Sequence, residues 1–373
     1  MTMIRMMIRY ALGLAGVALV AGEALAQEYE RPGCGVYGSA DAVSEEYVFE
    51  ATAGCARAMI NRQLMVNNID VLSRVVAFSF GIGPGRVEPA GLASLSPSGF
   101  GSRLEGGPAM VIIPTGDEAP ASEPTSRWNL WGDGKYTWND NSLSNFDLDG
   151  PLWNGLAGVD YKLTDKMTIG LMASYESSDL DGIGTDLQST GLGGGPYIGI
   201  VLTDNVVFSA NVTGSRLDSS QLGGLLDFES DRLQAAAALN GYWFRDTWRF
   251  TPGLSLSWSK EWMEETSGFL LPDQTIETAM LTPSVQIGNT LRLSDTSTVE
   301  PWAGAALDYV FVNTTATDGF GSVKDPYADL RLQLGLNFGF GGNAQLAITG
   351  ELGGLLMDAS DTYAIEANLA VQF

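Results

Sequence analysis

Leu330-Arg331-Leu332-Gln333-Leu334-Gly335-Leu336-Asn337-Phe338 alternates large apolar residues with polar or small ones at a strict period of two. Successive side chains of a strand point to opposite faces, so this stretch is a strand with one apolar face and one that is not. The pattern repeats on both sides. Upstream it runs through Trp128, Leu130, Gly132, Gly134, Tyr136 and Trp138, then Met167, Ile169, Leu171, Ala173 and Tyr175, then Val206, Phe208, Ala210 and Val212. Leu233 to Trp243, Trp248 to Trp258 and Val299 to Phe311 follow it too, and the last strand carries Tyr363, Ile365, Ala367, Leu369, Val371 and Phe373.

The connections alternate as well. Leu163-Thr164-Asp165-Lys166, Leu202-Thr203-Asp204-Asn205, Phe244-Arg245-Asp246-Thr247 and Leu293-Ser294-Asp295-Thr296 read as tight turns. Between them, longer acidic connections are expected at Ser177 to Asp186, Ser215 to Asp231 and Thr314 to Asp325. Counting this way predicts an all-β transmembrane barrel over 127–373 with about twelve antiparallel strands, an even number. Closure satisfies every backbone group that a bilayer would otherwise strand. A water-soluble β-sandwich also alternates. Strands of ten or more residues in meander order, tryptophans near strand ends and a terminal strand closing in phenylalanine count against it.

Ahead of the barrel the pattern changes. Val48, Ala51, Cys55, Ala58, Met65, Ile69, Leu72 and Val76 recur at three- and four-residue steps, with Arg62 the one polar member of the series, so an amphipathic helix is predicted from about 44 to 80. It is expected to pack on or inside another domain, not to form a coiled coil, because flanking charges are sparse. It forms the bulk of a short N-terminal region, 27–80. Residues 81–126 carry seven prolines among Gly and Ser and read as a linker. Gly81-Ile82-Gly83-Pro84-Gly85 lacks the Lys-Ser/Thr of a phosphate loop and is read with it. At the start, Arg5 and Arg9, the apolar run Tyr10 to Val20 and Ala24-Leu25-Ala26 fit a secretory signal peptide over 1–26, cleaved before Gln27. That run is shorter than the roughly 20 residues of a membrane-spanning helix.

Composition narrows the function. Charged residues make up only 17% and glycines number 46, a mix that suits strands and turns better than helices. A net charge of −24 without Lys/Arg clusters excludes a phosphate-backbone binder, so no nucleic-acid partner is expected. There is no histidine, which excludes Ser-His-Asp, Cys-His and histidine acid–base chemistry. Cys34 and Cys55, two cysteines without histidine, cannot complete a usual zinc site; in an oxidising compartment a disulfide between them is expected. No cofactor is implied. Glu261, Glu264 and Glu265 lie near Trp258 and Trp262, and Asp179, Asp181 and Asp186 lie together; both groups are read as solvated loop charge, not as acid–base pairs or a calcium loop. Inward-facing strand residues are read as mostly small and polar with few charges, which favours a plugged or narrow lumen.

The chain resembles the translocator domain of classical autotransporters, the type V secretion family of Gram-negative bacteria. The resemblance covers Trp128 to Phe373. It rests on Leu156-Ala157-Gly158-Val159-Asp160-Tyr161 before a short turn, the repeated Thr/Ser-Asp turns, Val299-Glu300-Pro301-Trp302-Ala303-Gly304, and the alternation ending in Phe373. It implies a monomeric barrel in the outer membrane, among its lipid and lipopolysaccharide. The preceding helix would lie in the lumen and an upstream segment would be displayed at the cell surface. It also implies Tyr363, Ile365, Leu369, Val371 and Phe373 as the signal read by the barrel-assembly machinery, with periplasmic chaperones as further partners. One departure stands out: only about a hundred residues precede the barrel, too few for a long β-helical passenger, and no solenoid repeat is visible.

Some members of that family release the passenger when a lumenal asparagine attacks its own backbone carbonyl. Asn67-Asn68 looks similar to that junction, although some sixty residues separate it from the first strand; the plainer reading is a polar patch on a helix. The functional expectation is therefore an outer-membrane anchor or translocator with a display or adhesion role and no conventional enzyme activity. The alternatives are a porin-like channel with a lumenal plug and a histidine-free barrel enzyme.

Overall fold

A computed structural model describes residues 45–82, 127–143, 146–147, 149–182, 185–221, 224, 226–263, 274–317, 321–324, 326–357 and 360–373. Helix α1 spans Glu45–Ser79 and is followed by twelve long strands. These are β1 Trp128–Leu143, β2 Gly150–Thr164, β3 Met167–Gly182, β4 Thr185–Thr203, β5 Val206–Gln221 and β6 Leu226–Gly241. β7 Trp248–Met263, β8 Gln274–Asn289, β9 Ser297–Thr317, β10 Tyr327–Phe340, β11 Ala344–Gly353 and β12 Ser360–Gln372 complete the set. Each long strand pairs antiparallel with its neighbours in sequence, and β1 closes the ring on β12 in continuous register from Asn129↔Gln372 to Asn141↔Ser360. Closure leaves no free edge. Among the described residues no helix is long and apolar enough to cross a membrane; the strands cross it.

Burial follows the period-two reading. On β1, Asn129, Trp131, Asp133, Lys135, Thr137, Asn139 and Asn141 are buried in the lumen, while Trp128, Leu130, Tyr136 and Trp138 face outward and are exposed. Leu334, Ile365 and Leu171 are each 60% exposed or more, a position only lipid makes favourable for such side chains. Trp128 and Trp138 lie ten residues apart on one strand, so with a tilt near 40° they bracket a band of about 25 Å.

The turns explain the repeated Thr/Ser-Asp motif. The Thr164 hydroxyl accepts the Lys166 amide at 3.2 Å, Thr203 that of Asn205 at 3.3 Å and Ser294 that of Thr296 at 3.3 Å. Each hydroxyl satisfies the backbone two residues on, which nucleates the turn locally. Asp246, at φ 54°, sits in the equivalent turn between β6 and β7, a conformation aspartate tolerates better than most residues. All these turns lie at the end that also holds Arg127 and Phe373. The connections at the other end differ from expectation. Most of Ser177 to Asp186 is strand, since β3 reaches Gly182 and β4 begins at Thr185; β5 and β6 likewise extend to Gln221 and from Leu226. Backbone pairing continues beyond the apolar band because each hairpin still closes its own hydrogen bonds.

The predicted helix is present, within one residue of the expected limits, and runs through the lumen. It ends in a Schellman cap: Gly81 N–H donates to Phe78 C=O at 2.8 Å and Ile82 N–H to Ala77 C=O at 2.9 Å, with Gly81 at φ 73°. Gly81-Ile82 is therefore the end of the helix, not linker, because only glycine takes that conformation without strain. Residues 83–126, most of the expected linker, and the expected signal peptide lie outside the described residues.

Candidate functional site: a charged lumen filled by a helix

No side of α1 from Ala56 onward faces bulk solvent. Near its start Ala56, Ala58, Ile60 and Leu64 pack on Leu152, Leu180, Leu187, Phe228, Met263 and Ile276. Near its end Ile69 to Ile82 pack on Trp131, Leu156, Met172, Tyr197, Val201 and Val207. The wall makes room with inward glycine. A Cβ on Gly199 would lie 2.4 Å from Val76 Cγ1, and those on Gly158 and Gly335 would collide with the inward indoles of Trp131 and Trp302. Part of the high glycine content is thus a lumen surface fitted to bulky neighbours.

The wall is heavily charged, which corrects the expectation of few inward charges. Three clusters tie it to the helix. At the outer end Glu261 accepts from Arg57 at 2.9 Å, Arg232 at 3.0 Å, Ser230 at 2.8 Å and Asn61 at 3.1 Å. Arg232 also grips Glu176 through both oxygens at 2.7 and 2.8 Å, and Arg57 donates to Ser189 at 2.7 Å. Glu261 is not the solvated loop charge expected from the sequence. It is instead a fully buried strand residue, since the alternation of Trp258, Lys260 and Trp262 on the outward face puts it inward. Glu264 and Glu265 lie outside the described residues, and Asp179, Asp181 and Asp186 sit on the rims of β3 and β4, not in a loop.

Midway, Arg62 pairs with Asp308 at 3.2 Å and with Asp329, and its guanidinium lies 5.5 Å from the Tyr327 ring centroid. Arg331 continues the network to Asp308 at 2.6 Å and to Glu351 at 2.7 Å, and Lys135 reaches Glu351 at 3.1 Å. Lower down Arg74 pairs with Glu366. Arg249 and Glu300 pair within the wall at 2.7 Å. The charges in these pairs are tolerated because each meets an opposite charge and further hydrogen bonds.

Asp160, of the Leu156–Tyr161 motif, organises the helix terminus. Its carboxylate accepts from Ser79 at 2.9 Å, Asn129 at 3.0 Å, Thr168 at 3.0 Å and Tyr197 at 2.8 Å, and the Trp131 indole N–H donates to the Tyr197 hydroxyl at 2.7 Å. Strands β1 to β4 and the helix thus meet on one carboxylate. Asp160→Ala should remove the acceptor these four donors share; Ser79, Asn129 and Thr168 keep a second acceptor, the buried Tyr197 hydroxyl is left unmet, and the helix end should loosen by about 1–3 kcal/mol. Amide exchange measured over 76–82 should accelerate in that variant while the exchange of β7 to β10 stays as it was.

These elements are arranged as in known barrels. The family model Autotransporter beta-domain matches residues 130–353. The chain belongs to the autotransporter family. Solved autotransporter barrels share its fold at low identity. The translocator domain of NalP from Neisseria meningitidis is 12% identical, with 68% of this chain and 90% of that one covered at a TM-score of 0.51. The β-domain of Bordetella BrkA is 15% identical over 66% of this chain and 100% of its own, TM-score 0.54. The transport unit of AIDA-I from Escherichia coli is 10% identical over 68% and 93%, TM-score 0.55. No curated protein matches the chain. An autotransporter barrel resides in the outer membrane, and so does this one.

The remaining sequence candidates fall as follows. Asn67 and Asn68 are buried in the unbroken helix: the Asn67 amide donates to Asn154 and, at 3.4 Å, to Asp133, and that of Asn68 to Gln234 at 2.8 Å. Cys55 lies on the helix backbone and Cys34 outside the described residues. Tyr363, Ile365 and Leu369 face outward on β12, and Phe373 is exposed at its end. Among the described residues no group of side chains could hold a metal ion. The wall carboxylates that bind Arg57, Arg62 and Arg74 were missed. Their signal was the phase of the alternation, which places every one of them inward.

Proposed function

We propose that this autotransporter barrel anchors the chain in the outer membrane and presents the segment ahead of α1 at the cell surface, for display or adhesion. The direction of the helix carries this reading. Its C-terminal end meets Asn129 and Gln372, at the end of the barrel that carries the short turns and faces the periplasm in outer-membrane barrels. Its earlier residues meet Ser189, Ser230 and Phe228 near the opposite rim. From Arg57 to Ser79 the helix rises about 33 Å, enough to cross the hydrocarbon layer. The N-terminal end of the helix thus points to the outer mouth, which supports presentation of the preceding segment there. A signal peptide removed before Gln27, a Cys34–Cys55 disulfide, a monomeric barrel and delivery by chaperones and the barrel-assembly machinery, which would read Tyr363 to Phe373, complete the reading.

The test is an epitope inserted near Arg31, labelled on intact cells with a membrane-impermeant reagent, with mass analysis of the purified protein. Labelling of intact cells is expected. Labelling only after permeabilisation would place the segment in the periplasm and sink the display role. A mass beginning near Asn68 would report release by chain cleavage at Asn67-Asn68; a chain beginning at Gln27 would report a retained helix.

A further inference from the structure

The outward wall of the barrel is not uniform. Beside the short turns, strands β2 to β5 carry an apolar groove with a volume of about 710 Å³. Tyr161, Ile169, Leu171, Ile198 and Val212 wall it, and the small outward residues Pro196 and Ala210 leave its floor low. The pairing of β4 with β5 skips Gly195 and Pro196, since proline has no N–H to give to a ladder. The groove runs from Tyr161, at the turn end of β2, to Val212, six residues into β5. At about 3.3 Å per residue and a tilt near 40°, that is about 15 Å along the membrane normal, half of the hydrocarbon layer. The short turns face the periplasm in outer-membrane barrels. The groove therefore lies in the periplasmic leaflet, whose lipids are glycerophospholipids and not lipopolysaccharide.

The mouth of the groove is basic and aromatic. Arg127 is exposed, donates to the Tyr161 hydroxyl at 3.2 Å and enters no ion pair among the described residues. Trp128, also at the mouth, sets its ring against that of Tyr161 at 4.9 Å between centroids. Lys166 is exposed on the adjoining turn, and the neighbouring Asp165 acts on Arg127 from beyond ion-pair distance. This runs against the trend of a chain with 44 acidic and 20 basic residues, whose opposite rim exposes Asp179, Asp181, Asp218 and Asp231. Indole and phenol rings settle at headgroup level, and cations there attract anionic headgroups. We propose that groove and mouth form a site for one anionic glycerophospholipid, with an acyl chain in the groove and the phosphate diester on Arg127 and Lys166. With one N–H on Tyr161, the guanidinium keeps others for a pair of phosphate oxygens. The site goes beyond the display role and does not depend on where the N-terminal segment lies.

The test is native mass spectrometry of the purified full chain in detergent micelles, titrated with phosphatidylglycerol or with phosphatidylethanolamine. One phosphatidylglycerol should stay on each barrel, held about tenfold tighter than phosphatidylethanolamine. Arg127→Gln with Lys166→Gln should remove that preference, and Arg127→Lys should keep part of it. Ala210→Trp, an outward change that lipid tolerates, should fill the groove and weaken the binding of both lipids. Heat-dependent migration in detergent gels checks that each variant is assembled. If the double variant does not assemble, Arg127→Gln alone is read in the same way. Glycerol phosphate, which has no acyl chain, should not compete; competition would reduce the site to a phosphate contact and overturn the proposal. Equal retention of the two lipids whatever stands at 127 and 166 would be ordinary lipid contact and would overturn it too. So would a dimer mass that Ala210→Trp abolishes, which would give the groove to a second copy of the chain.

Discussion

Glu261→Ala is expected to release the outer half of α1 while the barrel itself stays assembled. In the native chain Glu261 is fully buried and satisfies Arg57, Arg232, Ser230 and Asn61 at once. Removing it leaves Arg57 with only serine hydroxyls inside the wall, and breaking a buried pair from one side costs about 3–5 kcal/mol. Arg232 keeps its two-oxygen grip on Glu176, so the strands lose less than the helix does. Amide exchange over 56–64 should therefore accelerate by about two to four powers of ten, the factor that 3–5 kcal/mol represents. Exchange over 71–79, where Val71, Leu72, Val75 and Val76 are held by their own apolar cluster, should change little. The paired replacement Arg57→Met with Glu261→Leu should recover most of the loss, since a buried pair exchanged for apolar groups is often close to neutral. A uniform rise in exchange along the whole helix would show that Glu261 supports the barrel in general and not the seat of the helix.

How much of this was legible in the sequence depends on how far apart the interacting residues lie. The strands were legible because lipid imposes one demand on every second residue, and Leu330 to Phe338 meets it without exception. The tight turns were legible because the Thr/Ser hydroxyl acts on an amide two residues away. The helix was legible from its own periodicity, and its place in the lumen followed only from the family resemblance. The charged lumen was misread for a definable reason. Arg331, Glu351 and Glu366 are scattered singly among Ser, Thr, Asn and Gln, so a survey by residue type sees small polar side chains, whereas the phase of the alternation puts each charge inward. Glu261 shows the same error locally. Its neighbours Glu264 and Glu265 suggested a loop, yet Trp258 and Trp262 had already fixed the face. The pairing itself was beyond local reading: Arg62 and Asp329 are 267 residues apart in the chain, and no periodicity connects them.

Gly199→Leu carries the second large effect and separates the fit of the helix from its charge. Gly199 faces inward on β4, and a Cβ there would lie 2.4 and 3.0 Å from the two methyl groups of Val76 and 2.9 Å from Thr168 Cγ2. The neighbours in the way are side chains, one of them on the helix, so a leucine pushes the helix off the wall without touching the strand ladder. Overpacking of this kind costs about 1–3 kcal/mol, and occasionally more where nothing can relax. Gly195, four residues earlier, differs in kind: its Cβ would fall 1.9 Å from the carbonyl oxygen of Val212, so substitution there tests the wall itself. For Gly199→Leu the assembled barrel should still resist heat in detergent gels, while amide exchange over 71–80 rises and the helix end becomes open to protease. Val76→Ala on the same chain removes two methyl groups and should restore protection beyond what the single changes predict, a coupling expected only of residues in direct contact. If Val76→Ala merely adds its own loss, Gly199 does not form the seat of the helix, and the glycines of β4 serve strand geometry alone.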